Sequence, residues 1–176
     1  GGFLCARAPL VRVTVDGNPV PFDVQPVSGG KAAVSASFCG LADGEHLAEA
    51  ETLGFDGDPL SRKQTFFIVD TRPPEMDLLA PEAHRIQRTQ TTFQVRCRDR
   101  GSGISPDPQA SGLVVTINGS EAVWRWDEEH GERILSVSSP VSQWDPGRSI
   151  TLRVHVQDRA GNPAEWSASF EVDIPE

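Results

Sequence analysis

Five oxygen-bearing side chains in loops are the residues of this sequence best suited to chemistry. They are Asp70, Asp99, Asp107, Asp158 and Asn162, and each lies within three residues of a glycine or a proline. Calcium is a hard cation that binds carboxylate and carbonyl oxygens, so these residues are the candidates for a calcium site; apart from this candidate, no cofactor is expected. Their spacing matches no EF-hand loop. The structural alternative is that each aspartate accepts backbone N–H groups of its own turn.

Two tryptophans offer a second kind of site. Trp124 and Trp126 alternate along one candidate strand, so both indoles project from the same face. Parallel indoles stack on sugar rings, which makes these residues candidates for glycan binding. The alternative is that they pack inward with Trp144 or Trp166 as core aromatics.

Catalytic motifs are missing from the sequence. A hydrolytic triad needs Ser, His and a carboxylate brought together, and the four histidines are scattered among turns and strands. No Gly-x-Ser-x-Gly elbow, His-Glu-x-x-His helix or phosphate loop occurs. We therefore predict no catalytic residue and no enzyme activity.

Three cysteines are present: Cys5, Cys39 and Cys97. No Cys-x-x-Cys pair exists, so neither a zinc site nor a thioredoxin-like motif is indicated. Cys5 and Cys39 fall in the same half of the chain and would form a disulfide in an extracellular protein. Cys97 would then be an odd, buried thiol in an alternating strand.

Charge and composition exclude several classes of partner. The chain has 176 residues and a formal net charge of −9, with Lys and Arg scattered rather than clustered. Phosphate backbones and anionic membranes would be repelled, so no nucleic acid is expected as a partner. No apolar stretch reaches the length of a membrane span. Gly1 is not a native start, so we expect the chain to be a piece of a longer protein.

The two halves of the chain repeat one pattern. Residues 13–17 (Val-Thr-Val-Asp-Gly) recur at 115–119 (Val-Thr-Ile-Asn-Gly), an offset of 102. Further along, residues 67–70 (Phe-Ile-Val-Asp) recur at 170–173 (Phe-Glu-Val-Asp). The prolines at 73 and 74 cannot donate to a strand ladder. The sequence therefore predicts two tandem domains, residues 1–72 and 73–176.

Short alternating strands and tight turns predict that each domain is an antiparallel β-sandwich. Asp16-Gly17 and Asn118-Gly119 are strong hairpin signals. In the loop 158–162, Asp158 is expected to accept backbone N–H groups and Gly161 to adopt the left-handed conformation. Seven strands are predicted in the second domain, at residues 75–79, 91–98, 112–117, 122–126, 133–137, 150–157 and 165–172.

The first domain is too short for the same set of strands. Counterparts of the first two strands of the second domain would precede residue 1, because of the 102-residue offset. Either the chain was cut within a domain, or the first domain is a reduced sandwich with an open edge. A native open edge would recruit a strand from a neighbouring repeat or a partner.

Four signatures in order resemble the bacterial immunoglobulin-like repeats of large secreted and surface-attached proteins. They are Asp-Thr-Arg-Pro-Pro at 70–74, Asp-Arg-Gly-Ser-Gly-Ile at 99–104, Asp-Arg-Ala-Gly-Asn at 158–162 and Phe-Glu-Val-Asp at 170–173. The resemblance implies two tandem immunoglobulin-like domains of an extracellular or cell-surface protein. It implies a non-catalytic stalk or adhesion module whose partners are proteins, surface glycans and neighbouring repeats. Two alternatives stay open: an accessory, carbohydrate-binding module of a secreted hydrolase, and a eukaryotic (for example algal) cell-surface adhesion protein.

Overall fold

The structure is a computed structural model that describes residues 10–27, 31–54, 56–129, 132–139 and 141–174. Within these residues all regular secondary structure is β, which confirms the predicted all-β class. The chain divides into two compact units, residues 1–70 and 71–176. No helix in the described part of the chain is long and apolar enough to cross a membrane.

Fifteen strands lie in the described ranges. In chain order they are β1 (Leu10–Val15), β2 (Asn18–Pro19), β3 (Phe22–Val27), β4 (Lys31–Ala36), β5 (Gly44–Leu53), β6 (Pro59–Val69), β7 (Glu75–Ala80), β8 (Arg85–Ile86), β9 (Thr92–Arg98), β10 (Val114–Ile117), β11 (Ser120–Glu121), β12 (Val123–Glu129), β13 (Glu132–Ser138), β14 (Ser149–Gln157) and β15 (Pro163–Val172).

The second unit is a sandwich of two sheets, with strand orders β12-β13-β9-β7 and β11-β10-β14-β15-β8. All neighbours are antiparallel except β8, which runs parallel to β15. The inner faces meet in one core, where the ring centroids of Phe93 and Phe170 are 5.0 Å apart. Leu135 and Leu152, one from each sheet, are fully buried in the same cluster. The predicted two-sheet core is confirmed.

The strand order of the second unit is that of an immunoglobulin-like domain. Such a domain places strands A, B, E and D in one sheet and C, F and G in the other. Strands β7, β9, β13 and β12 take the first four positions, and β10, β14 and β15 take the other three. After the cis peptide bond Ala80–Pro81, β8 joins the edge of the second sheet. The predicted immunoglobulin-like fold is therefore confirmed.

Period-two alternation places the centre of the core as predicted. On β9, Phe93, Val95 and Cys97 are fully buried while the residues between them lie towards solvent. Strand β14 alternates in the same way, and its buried residues include Leu152 and Val154. A strand that faces core on one side and water on the other has this pattern.

Both predicted hairpins are confirmed. Asp16 and Gly17 have φ values of 50° and 77°, and Asn118 and Gly119 have values of 52° and 80°. A two-residue hairpin turn of type I′ needs positive φ at both central positions, which Asn-Gly and Asp-Gly tolerate best. The turns join β1 to β2 and β10 to β11 as antiparallel pairs.

The first unit contains the sheets β2-β1-β5-β6 and β3-β4. By the repeat, these strands correspond to β11-β10-β14-β15 and β12-β13 of the second unit. Among the described residues, no strand of the first unit takes the positions of β7, β8 or β9. Residues 1–9 lie outside the described part of the chain.

Candidate functional site

Three of the five predicted calcium ligands lie together. One carboxylate oxygen from each of Asp70, Asp99 and Asp158 is within 4.8 Å of the others. Asp70 and Asp158 are buried and Asp99 is half-buried. At an effective dielectric constant of about 20, like charges at this distance repel by ~3–4 kcal/mol per pair. N–H donors, protons or a cation must therefore offset the charge of this acidic cluster.

Asp158 stabilises the loop between β14 and β15, as its sequence context predicts. Its Oδ1 accepts a hydrogen bond from the backbone N–H of Asn162 at 2.8 Å, and its Oδ2 accepts one from the Asn162 side-chain amide at 2.7 Å. Gly161 has a φ of 92°, the left-handed conformation that the turn requires. The expected turn geometry is confirmed. Asn162 lies beside the cluster and directs its amide nitrogen at Asp158.

Asp99 organises a second loop that is bound to the first. Its Oδ1 accepts a hydrogen bond from Gly101 N–H at 3.3 Å, and its Oδ2 accepts one from Gly103 N–H. The two loops join where Arg159 N–H donates to the Gly103 carbonyl at 2.9 Å. Because the backbone of each loop contacts the other, Asp99 and Asp158 are held in place side by side.

Asp107 does not belong to the acidic cluster, in contrast to the calcium prediction. Its side chain is exposed and its Oδ1 accepts the Gln109 N–H at 3.0 Å. Its carbonyl accepts the Ser111 N–H at 3.0 Å, so the residue closes its own turn. A local Asx turn uses the carboxylate that the sequence offered as a ligand.

Trp124 and Trp126 project from the same face of β12, but that face is the inner one. Both rings are half-buried and pack against the hydrophobic core. Trp126 is opposite the fully buried Leu135 in the neighbouring strand. This inward packing is the one expected of core aromatics, and glycan binding by the pair stays a prediction.

Only part of the cysteine prediction falls on described residues. Cys39 is exposed, and Cys5 lies outside the described residues, so the disulfide between them stays a prediction. Cys97 is fully buried, as its strand position indicates. Burial disfavours the thiolate and raises the pKa of the Cys97 thiol to about 12.

An apolar groove lies in the first unit, on the side where the sequence predicted an open edge. Val34 and Ala36 of β4, with Phe38 just beyond, line one side, and Ala48 and Phe67 lie on the facing sheet. The volume enclosed is about 560 Å³. Val34 and Phe38 remain 39% and 41% exposed, which is unusual for inward-facing residues of a sandwich.

Hydrogen-bond register identifies what occupies the same place in the second unit. The backbone of Leu47 donates its N–H to the Asp16 side chain and accepts the Asp16 N–H. The backbone of Thr151 makes the same two hydrogen bonds with Asn118, so Leu47 and Thr151 are equivalent. Ala48 is therefore equivalent to Leu152. The further equivalents, read from the same pairing registers, are Ala50 with Val154, Thr65 with Ala168, Lys63 with Trp166, and Phe67 with Phe170.

Strand β9 covers these positions in the second unit. Its Phe93 packs on Phe170, the equivalent of Phe67. In the first unit the rings of Phe38 and His46 lie near Phe67 instead, with centroid distances of 5.3 and 5.5 Å. The groove is thus the described first unit's equivalent of the space that β9 fills. Smaller residues at Ala48 and Ala50 widen it further.

His46 forms a charge-assisted network beside the Asp16 turn. Its Nδ1 is 2.6 Å from Asp16 Oδ2 and its Nε2 is 2.8 Å from the Ala42 carbonyl oxygen. The Asp16 carboxylate, and then the Ala42 carbonyl, raise the pKa of His46 because both accept protons that only the imidazolium carries together. The His46 hydrogen bond in turn lowers the pKa of Asp16, with a further contribution from Leu47 N–H.

A difference in sequence between the two repeats indicates the groove. Where the second half has Leu152 and Trp166 on its inner face, the first half has Ala48 and Lys63. Loss of volume and gain of charge at inner positions of one repeat indicate a core that is not closed in the same way.

Comparisons with known proteins return no close relative. No family model matches the chain, and no curated protein matches it in sequence. Among solved structures, the GspB Siglec domain is similar with 19% identity over 61% of this chain and 62% of that chain, at a TM-score of 0.40. The fibronectin(III)-like modules of Clostridium thermocellum CbhA have 14% identity over 96% of this chain and 80% of that chain, at 0.38.

The human desmocollin-1 ectodomain is also similar, with 13% identity over 94% of this chain and 35% of that chain, at a TM-score of 0.42. This chain spans less than two thirds of the GspB and desmocollin-1 chains. All three scores are below 0.5. The immunoglobulin-like assignment therefore rests on the strand order of the second unit.

Proposed function

We propose that this chain is a non-catalytic, extracellular interaction module built like the bacterial immunoglobulin-like repeats, in which the second unit is a spacer and the first unit is the contact surface. The observation that carries the proposal is the contrast between a closed core and an open one. Val34 pairs with Val24 as Leu135 pairs with Trp126, which is 102 residues after Val24, so Val34 is the first-unit equivalent of Leu135. Leu135 is fully buried, whereas Val34 is 39% exposed. Exposed apolar surface of this kind marks interaction sites.

A second exposed apolar surface lies on the outer face of β6, the opposite face of the sheet from the groove. Phe66 and Ile68 are 66% and 52% exposed, and Leu60 on the same strand is also exposed. Aromatic and aliphatic residues are enriched at the centres of protein–protein interfaces, where charged residues are depleted. The composition of this surface favours a protein partner over a glycan.

Adhesion of coated beads tests the proposal. Beads that carry the chain are applied to arrays of extracellular proteins and of glycans, with Val34→Asp and Phe66→Asp as first-unit variants. Val123→Asp is the matched control, because Val123 is an exposed apolar residue of the second unit. We expect protein binding that both first-unit variants reduce and the control retains, with melting curves that show all variants folded.

Two other results would contradict the proposal. Equal loss in the control variant would remove the assignment of the contact surface to the first unit. Binding to glycans alone, insensitive to Val34→Asp and Phe66→Asp, would instead favour the accessory module of a secreted hydrolase.

A second proposal is that calcium binds the acidic cluster. It is supported by Asp70, Asp99 and Asp158, whose carboxylates come from three separate segments of the chain and lie within 4.8 Å of one another. Hard cations require such a set of oxygen ligands. The competing role is turn stabilisation through the N–H groups that Asp99 and Asp158 accept. Melting curves with and without calcium separate the two roles, as developed in the Discussion.

A further inference from the structure

The free edge of β4 adds a directional feature to the apolar groove. Within the described residues β4 pairs with β3 alone. Its equivalent β13 pairs on both edges, with β12 and with β9. An unpaired strand edge presents backbone N–H and C=O groups that an added strand can bond. The groove therefore offers hydrogen bonds along one side and apolar contacts along its floor.

Lys63 gives the groove a charge. It lies on the inner face of β6, at the position that Trp166 takes in the second unit, and it lines the groove. Lys63 is exposed, and among the described residues no carboxylate pairs with it. Glu49 also lines the groove, but its carboxylate is paired with Arg62 and Gln64. A ligand that carries a carboxylate at this end of the groove would complement it.

The register of β9 in the second unit fixes the order of residues that the groove would take. Phe93 is opposite Val137 and Val95 is opposite Leu135, which are the equivalents of Ala36 and Val34. Strand β9 begins beside the end of β15, where the ring centroids of Phe93 and Phe170 are 5.0 Å apart. It ends next to Asp99, whose carboxylate is within 4.8 Å of that of Asp158, before the start of β15, so β9 runs antiparallel to β15. The segment of β9 from Phe93 to Cys97 therefore runs beside β15 from Phe170 back to Trp166, the residue whose first-unit equivalent is Lys63. The third inward position of an added strand points towards Lys63.

We infer that the first unit is a strand acceptor: the groove binds an extended segment of another polypeptide, antiparallel to β4. In that segment two alternate apolar residues are followed, at the next alternate position, by Asp or Glu. The first apolar residue pairs opposite Ala36 and fills the space over Phe67. The second pairs opposite Val34, and the carboxylate meets Lys63. This inference rests on the proposed function and specifies the chemistry of its partner.

Synthetic copies of residues 90–100 test the inference on the 176-residue chain. One peptide carries Cys97→Glu and a second carries Cys97→Lys. A third has the composition of the first with the alternation of apolar and polar residues removed. Fluorescence polarisation measures binding, and hydrogen exchange measures protection of the β4 amides. The protein variant Lys63→Glu provides the charge reversal at an exposed position, and its melting curve checks that it is folded.

We expect the glutamate peptide to bind about two- to fivefold more tightly than the lysine peptide, the range of a partly exposed ion pair. Lys63→Glu should reverse this preference, and bound peptide should protect the β4 amides. Absence of β4 protection, an unchanged preference in Lys63→Glu, or equal binding of the third peptide would overturn the inference.

The oligomeric state and the bead assay separate the remaining explanations. A dimer of the free chain with protected β4 amides would mean that a second copy occupies the edge, which also overturns the inference. If Val34→Asp still abolishes adhesion while no peptide protects β4, the strand inference fails and the proposed function stands. If adhesion itself does not depend on the first unit, the proposed function fails.

Discussion

Asp158→Ala should destabilise the second unit through the loop between β14 and β15. Asp158 is 2% exposed and accepts hydrogen bonds from both the backbone N–H and the side-chain amide of Asn162. Loss of such an acceptor leaves N–H groups without a partner and costs about 1–2 kcal/mol, comparable to loss of a helix cap. Thermal unfolding of the second unit should shift down by roughly 4–8 °C per kcal/mol.

Calcium distinguishes a metal ligand from a turn residue in the same experiment. At free calcium about ten- to a hundredfold above the dissociation constant, binding would stabilise the wild-type protein by about 1.4–2.7 kcal/mol. Asp158→Ala should lose this increment in addition to the loss seen in chelator. Asp158→Asn keeps one acceptor oxygen and removes one negative charge from the cluster. Its amide nitrogen cannot accept the second N–H group of Asn162, so this variant should melt between Asp158→Ala and the wild-type protein in chelator and gain less from calcium.

Asp107→Ala is the control, because Asp107 closes an exposed turn outside the acidic cluster. It should leave the calcium increment unchanged. If Asp158→Ala melts at the wild-type temperature in chelator, Asp158 does not stabilise its turn. A loss that is identical with and without calcium would refute the metal site and leave the turn as the whole role of Asp158.

Three further predictions follow from buried and paired groups. Because the pKa of His46 is raised, its pairing stabilises the first unit fully below about pH 6.5, and this contribution is lost as the pH rises through the folded-state pKa. Because the pKa of Asp16 is lowered, its pairing adds stability at pH values above the ordinary pKa of an aspartate, and this contribution is lost in acid. The stability of the first unit should therefore be greatest at pH values between these two losses. The melting temperature plotted against pH should show this maximum in the wild-type protein and not in His46→Gln, and parallel profiles of the two proteins would contradict the prediction. Leu135→Ala, at a fully buried site, should cost about 2–5 kcal/mol in denaturant unfolding, and a loss under 1 kcal/mol would mean that the core collapses around the change. A thiol reagent should label exposed Cys39 after reduction and leave Cys97 unlabelled until the protein unfolds; fast labelling of Cys97 in the native state would show that the second unit opens locally.

Long alternating strands were predictable from the sequence because each one repeats its pattern several times. All seven predicted strands of the second unit are present, with ends that differ by two or three residues at most. The predicted strand at 91–98 corresponds to Thr92–Arg98, and that at 165–172 corresponds to Pro163–Val172. Turn chemistry at Asp16 and Asn118 was equally predictable, since few residues adopt positive φ.

Short strands and long-range placements were beyond the sequence. Strands β8 and β11 have two residues each, too few to show any period. Their pairing depends on tertiary contacts with β15 and β10.

Loop composition identified part of the acidic cluster but could not select its members. Asp99, Asp107 and Asp158 have similar surroundings in sequence, and each accepts backbone N–H groups. The backbone contacts between two loops bring Asp99 and Asp158 together and leave Asp107 apart. Likewise, Trp124 and Trp126 share a face by alternation, but only the packing of β12 decides that the face is the inner one.

The parallel pairing of β8 with β15 determines how the second unit responds to tension along the chain. Glu171 N–H donates to the His84 carbonyl and Asp173 N–H donates to the Ile86 carbonyl, at 2.8 and 2.9 Å. Force applied to the two ends of the unit pulls the parallel strands β8 and β15 in opposite directions along their length. Both hydrogen bonds are then loaded in shear and must break together, whereas antiparallel end strands would open one bond at a time. A module held under flow or traction would resist extension through the pairing of β8 with β15.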